Sequence, residues 1–180
     1  TVYEGQTSTE VWSSAIVELH TEKVLIFPNI EQTLYYLSSF KENLIVYYNN
    51  LKFDGAFWLH YLMTQTKYKP DYTEIDENNI TWNNKFKMPK YTYQYTISNM
   101  GQWYTIRIHT KNNFIEIRDS LKLLPFSLSK IGKSFKTKHQ KLEMEYEGMR
   151  YSGCKISPEE RAYIENDVLV LKEAIEIMDD

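Results

Sequence analysis

Leu44-Ile45-Val46-Tyr47-Tyr48-Asn49-Asn50-Leu51-Lys52-Phe53-Asp54-Gly55-Ala56-Phe57 passes from an apolar, β-branched and aromatic run, through two asparagines, into a segment with helical spacing. The first five residues suit a strand and the asparagines suit a turn. Phe53, Ala56, Phe57 and His60 then recur at steps of three and four, the spacing of a helix reaching about Thr66. Asp54 falls in the first turn of that helix, just past the end of a strand. A carboxylate there satisfies the positive pole of the helix, and open α/β sheets also place their sites beyond such strand ends. Both readings of Asp54 stand at this point.

Working outward, Val11 to Leu19 and Lys23 to Phe27 are apolar runs split by His20-Thr21-Glu22, which predicts an antiparallel hairpin, with Glu4 on a strand before it. Asn29 stands where a helix N-cap belongs, Gln32 follows at capping-box distance, and Leu34 and Leu37 give a short helix its inward stripe. Residues 67 to 90 are polar and bounded by prolines, with Asp71, Glu74, Asp76 and Glu77 close together, and read as a surface insertion in the form of a solvated acidic loop. Tyr91 to Ser98, Gln102 to His109 and Asn113 to Asp119 are strand-like. Lys122 to Lys141 holds six lysines and no acid, a basic face. Ser157-Pro158-Glu159-Glu160 combines an N-cap serine, a proline at the first helical position and two acids at the positive pole, opening a helix to about Met178. Its expected stripe is Ile164, Val168, Leu171, Ala174 and Met178. Strands and helices in this order imply an α/β domain with a mixed β-sheet flanked by helices.

A chain of 180 residues that is 42% hydrophobic is long enough to bury a core without disulfides or a structural metal, and residues 1–180 are expected to form a single domain. Its one cysteine, Cys154, has no partner for a bridge, which fits a reducing compartment. No apolar run approaches a membrane span and the first residues lack a signal-peptide pattern, so a soluble protein is expected. The net charge of -3 argues neither for nor against nucleic acid as a partner, and the local distribution decides.

The four histidines lie far apart without zinc spacing, and no glycine-rich phosphate loop is present. Carboxylates remain. Tyr163 and Asp167 are four apart on one face of the last helix, beside its apolar stripe, which places an acid at the core boundary. An acid there is costly unless it is paired or holds a cation. Glu4, Asp54 and Asp167 are thus three acids from distant parts of the chain that a sheet could gather, and such oxygen ligands suit magnesium or manganese.

The stretch from Tyr47 to Phe57 closely resembles the second exonuclease motif of the protein-primed family B DNA polymerases of small bacteriophages and linear plasmids. The resemblance continues through Met100-Gly101-Gln102-Trp103-Tyr104, Asp119-Ser120-Leu121-Lys122 with Leu124-Pro125-Phe126, and Lys141 with Tyr146. It closes with Ile156, Pro158-Glu159-Glu160 and Tyr163-Ile164-Glu165-Asn166-Asp167, in the family's order and over almost the whole chain. It implies a ribonuclease H-like fold of the DnaQ exonuclease type. It also implies a 3′-5′ proofreading exonuclease that binds a single-stranded DNA 3′ end and hydrolyses phosphodiesters with two Mg2+ or Mn2+ ions. By position, Glu4, Asp54 and Asp167 would bind metal, Tyr163 would orient the attacking water, and Lys141 would contact the phosphate. Tyr47, Asn49, Asn50, Phe53, Phe57, Ser120, Leu121 and Tyr146 match positions that hold the single-stranded 3′ end; Asn49 stands where a histidine is common. The family context implies a monomer in the cytoplasm of a bacterial host, no membrane, and a polymerase module and terminal protein as partners, with the polymerase module outside this chain.

One departure bears on activity. The family's first motif is Asp, any residue, Glu, and here the matching run is Val2-Tyr3-Glu4-Gly5. Residues two apart on a strand share a face, so that motif delivers two carboxylates to one site, and Val2 supplies none. Impaired hydrolysis is therefore expected. The alternative is an inactive exonuclease-fold module that binds single-stranded DNA or a partner protein.

Overall fold

A computed structural model of the chain describes residues 11–49, 51–97, 103–120, 127–143 and 151–179. In chain order the elements are β1 (Ser14–Val17), β2 (Val24–Phe27), α1 (Ile30–Ser38), β3 (Leu44–Tyr48), α2 (Leu51–Thr64), β4 (Lys69–Pro70), β5 (Tyr72–Asp76) and β6 (Asn79–Trp82). A 3-10 turn at Lys85–Lys87, β7 (Thr92–Ile97), β8 (Trp103–His109), β9 (Phe114–Asp119), α3 (Leu128–Phe135) and α4 (Pro158–Asp179) complete it. These elements form two compact units, residues 33–123 and residues 1–32 with 124–180.

The first of these units is built on a five-stranded sheet in the order β3-β9-β8-β7-β4. Its pairing is mixed: β3 lies parallel to β9, β9 and β7 are antiparallel to β8, and β4 is parallel to β7. The strands exist because Ile106, Ile108, Ile115 and Ile117 alternate along β8 and β9 and send one face into the core, where all four are fully buried. Helix α2 packs against β8. It turns Leu51, Gly55, Trp58, Leu59 and Leu62 inward, and the Trp58 indole N–H donates to the Tyr48 hydroxyl at 3.0 Å. The residues whose spacing marks the helix lie elsewhere: Phe53 is 67% exposed and Ala56 and His60 are exposed, so they line the outward side. Residues 67–90 likewise depart from an irregular loop. Short β4 joins the main sheet, and β5 and β6 pair as an exposed antiparallel hairpin. Buried Gln94 fixes its base by donating to the Asn83 carbonyl at 2.7 Å.

In the second unit β1 and β2 form the expected hairpin, from Ser14 opposite Phe27 to Val17 opposite Val24. Helix α4 packs against that hairpin and against α3. Ser157 caps α4, its hydroxyl accepting from the Glu160 N–H at 3.1 Å, as the sequence implies. The buried stripe is shifted from the expected one: Val170, Ala174 and Ile175 are buried, whereas Met178 is 43% exposed. Asn29 accepts from the Gln32 N–H at 2.8 Å and opens α1, which turns Leu34 and Leu37 inward. Among the described residues no helix is long and apolar enough to cross a membrane.

Candidate active site

In the sheet-bearing unit, parallel pairing sets Tyr48 opposite Asp119, so β3 and β9 end side by side. Two hydrogen bonds latch these neighbouring ends together. The Asp119 carboxylate, only 2% exposed, accepts from the Leu51 N–H at 3.0 Å and so satisfies an open donor at the start of α2. The Asn49 side-chain amide donates to the Ser120 hydroxyl at 3.4 Å. Asp54 sits half-buried in the first turn of α2. Burial, and after it the neighbouring charge of Asp119, push the Asp54 carboxyl from 3.8 up to about 6. Two acids have been brought together, and the charge of one raises the proton affinity of the other.

Sequence reasoning misses Asp119 as a site residue. An acid closing a strand carries no periodic signal of its own; its place beside Asp54 exists only through the β3–β9 pairing. Phe53 and Phe57 stand one helical turn apart on α2, the first exposed and the second half-buried. Tyr47 is in register with Arg118 and hydrogen-bonds to it. Alternation along the strands sets it on the sheet face of Glu116, opposite to that of Ile117 and Asp119.

The second unit brings together Lys141, Tyr163 and Asp167. The Lys141 Nζ donates to the Tyr163 hydroxyl at 2.6 Å and to both Asp167 carboxylate oxygens at 3.0 Å, with the ammonium also 4.4 Å from the Tyr163 ring centre. Burial works against the Lys141 ammonium, but hydrogen bonds to Tyr163 and Asp167 and the Asp167 charge outweigh it and hold its pKa above the usual lysine range. For Asp167 burial is the larger effect: it lifts the carboxyl above its ordinary 3.8 although Lys141 pulls it down. One lysine does not offset the desolvation of this acid.

The segment carrying Lys141 is pinned from several sides. The Gln140 amide donates to the Gly132 carbonyl at 2.8 Å. A Cβ at Gly132 would lie 3.0 Å from the Gln140 Oε1, so the glycine leaves room for that contact. Glu173 accepts from the His139 backbone N–H at 2.9 Å and pairs with the His139 ring Nδ1. The Asn166 side-chain amide donates to the Gln140 carbonyl. Sequence reasoning also misses His139 and Glu173, since no spacing rule links residues 34 apart.

Of the remaining predicted site residues, Glu4, Asn50, Leu121 and Tyr146, and Val2 with them, lie outside the described residues. Asp54 and Asp167 belong to different units. Among the described residues no three His, Cys, Asp or Glu side chains group as a metal site. The donors are nonetheless of the right kind for a hard divalent cation: carboxylate oxygens, those of Asp54 and Asp167 partly buried.

Known proteins share this architecture. A family model described as "DNA polymerase type B, organellar and viral" matches residues 37–156. The DNA polymerase of Bacillus phage phi29 is 39% identical over 140 residues, which is 72% of this chain and 21% of that protein. A structure of phi29 DNA polymerase complexed with primer-template DNA superimposes with a TM-score of 0.68 at 34% identity, covering 87% of this chain and 25% of that one. One of the phi29 polymerase complexed with single-stranded DNA gives 0.66 at 30% identity, covering 87% and 26%. The chain thus spans about a quarter of the length of these relatives. The structural match bears out the α/β, ribonuclease H-like fold.

Proposed function

The chain belongs to the organellar and viral type B DNA polymerases, and from that premise we propose that it forms the 3′-5′ proofreading exonuclease part of such a polymerase, with hydrolysis impaired by Val2. The observation that carries this reading is the Lys141 ammonium held between the Tyr163 hydroxyl and the Asp167 carboxylate. A tyrosine, a lysine and an acid in hydrogen-bond contact give one group to orient water, one to meet a phosphate and one to hold a cation.

Glu4, Asp54 and Asp167 would hold magnesium or manganese. Bound there, a pair of such ions would supply charge stabilisation to the attacking and leaving oxygens of a phosphodiester. The Tyr163 hydroxyl orients the attacking water. Lys141 meets the scissile phosphate, and that contact competes with its ion pair to Asp167. Exposed Phe53 offers a ring for an unpaired base, while Asn49 and Ser120, already in contact, present amide and hydroxyl to the sugar. Asn50, Phe57, Tyr47, Leu121 and Tyr146 complete the proposed strand contacts. Val2 in place of a first-motif acid leaves the cations one ligand short and the water poorly activated. The parent enzyme would act in the bacterial cytoplasm as a monomer, with a polymerase module and a terminal protein as partners.

The test is release of nucleotides from a labelled single-stranded oligonucleotide with Mn2+, comparing the chain, Val2→Asp, and Val2→Asp with Asp167→Ala. The first change is expected to raise the rate and the second to lower it again by about 100-fold or more. Binding by all three without cutting overturns the hydrolytic reading and leaves a binding module. Neither binding nor cutting overturns both.

A further inference from the structure

The sheet of residues 33–123 has a second end, remote from Asp54 and Asp119. Thr92 at the start of β7 faces His109 at the end of β8, and His109 faces Phe114 at the start of β9. That row lies five residues, about 17 Å, from Asp119 along β9. Two lysine-bearing segments are stitched to it. Lys69 is in register with Thr92, and its N–H donates to the Tyr91 carbonyl at 3.1 Å. The Met88 carbonyl bonds the His109 ring Nδ1 at 2.6 Å, and the Tyr91 N–H donates to the His109 carbonyl at 2.7 Å.

Lys67, Lys69, Lys85, Lys87 and Lys90 are thereby gathered at one end of the sheet. All five are exposed, and none is in an ion pair among the described residues. The nearest acid along the strand, Asp71, is bonded to Asn83 and Gln94 instead. Among the lysines stands Phe86, 86% exposed. Its backbone is fixed: the Asn84 side chain accepts from the Phe86 N–H at 2.9 Å, and the Lys87 N–H donates to the Asn84 carbonyl at 3.0 Å. Lys85 lies 5.2 Å from the Phe86 ring centre and Lys67 4.4 Å from that of Tyr91. The ring contributes nothing to a core, yet its backbone is held in place among exposed lysines that form no direct ion pair among the described residues.

We propose that this lysine-rich sheet end with Phe86 is a second surface that binds a single-stranded nucleic-acid segment, phosphates on the ammonium groups and a base on the ring. Ammonium groups supply a sequence-independent phosphate attraction, and an exposed aromatic face stacks an unpaired base of any identity. The surface requires neither a cation nor a 3′ end, so it stands apart from the exonuclease reading.

A labelled circular single-stranded oligonucleotide, which has no 3′ end, separates the two surfaces, with fluorescence anisotropy as the readout. The chain is expected to bind the circle more weakly as salt rises. Lys85→Glu with Lys87→Glu should weaken binding about 10-fold or more and flatten the salt dependence by about 1.4 in log-log slope. Phe86→Ala should weaken the circle about 5-fold or more while leaving a blunt duplex unaffected. These positions are exposed, and unchanged melting of each variant shows that its fold is intact. Equal affinity of the lysine variant and the parent chain overturns the proposal. A neutral Phe86→Ala overturns the single-strand assignment, and binding of polyglutamate without the circle overturns it in favour of an acidic protein. Degradation of a linear oligonucleotide reports on the exonuclease separately.

Discussion

Asp54 and Asp167 are both partly buried acids in the first half of a helix, and their neighbours treat them in opposite ways. Asp167 has a lysine within 3.0 Å on both oxygens, and its carboxyl is lifted by burial against that lysine's pull. Asp54 has another acid beside it, and burial and charge act in the same direction, taking it to about 6. The difference teaches that the two positions ask for cations differently. The first carries an ammonium within hydrogen-bond reach, and the second lies beside a like charge that raises its proton affinity.

The sharpest way to break this contrast is pH. The folded value of Asp54, about 6, lies above its unfolded 3.8, so the folded chain holds that proton more tightly. The stabilising contribution is full below about 3.8 and is lost as pH rises through about 6. In the presence of a chelator the chain should therefore lose up to about 3 kcal/mol from this group between about pH 4 and about pH 7.5. Urea unfolding across that range checks it, and Asp54→Asn should remove this part of the slope. If Asp54→Asn unfolds like the parent at the upper end of the range, the two acids are not crowded in the way described.

Next in size is the latch. Asp119→Ala removes the acceptor of the Leu51 N–H from a buried position and should cost about 2 kcal/mol in equilibrium unfolding. Asp119→Asn, which keeps an acceptor oxygen, should recover much of that and lower the pH at which Asp54 titrates in an NMR titration. The smallest effect belongs to the segment that holds Lys141. Glu173→Ala, which frees the His139 N–H, should cost about 1 kcal/mol. It should also loosen the Lys141–Asp167 pair, visible as a shift of the Lys141 ammonium resonance. Lys172→Ala, on the same helix, is the comparison that should leave that resonance in place.

Much of this arrangement could be read from the residues alone. Ser157-Pro158-Glu159-Glu160 announces α4 because capping is local chemistry, and β8 and β9 are evident because isoleucines alternate along them, as tyrosines do along β7. The face of α2 is not, for a physical reason. Trp58, Leu59 and Leu62 recur at helical spacing just as Phe53, Ala56 and Phe57 do, and a helix apolar on nearly all sides does not say which side turns inward. The hairpin of β5 and β6 is hidden because its strands are short, mostly exposed and rich in polar residues; the polar bonds of Asp71, Asn83 and Gln94 define its base. Tyr163, Asp167 and Lys141 were each named from the sequence, the first two also sharing a helix face. Their contact with Lys141, like the pairing of Asp119 with the start of α2, depends on tertiary structure that spacing does not encode.

The side-by-side ending of β3 and β9 also has a consequence in time. Parallel neighbours need a crossover, and here everything from Asn49 to Asn113 lies between them. A chain emerging from the ribosome therefore carries Asn49 and Asp54 long before it carries their partners Ser120 and Asp119. Until β9 is made and docked, the start of α2 has no carboxylate to accept its N–H, and the strand-end groups stay unassembled. This strand-end arrangement is a late product of synthesis, so a nascent or truncated chain that stops before β9 is expected to lack it.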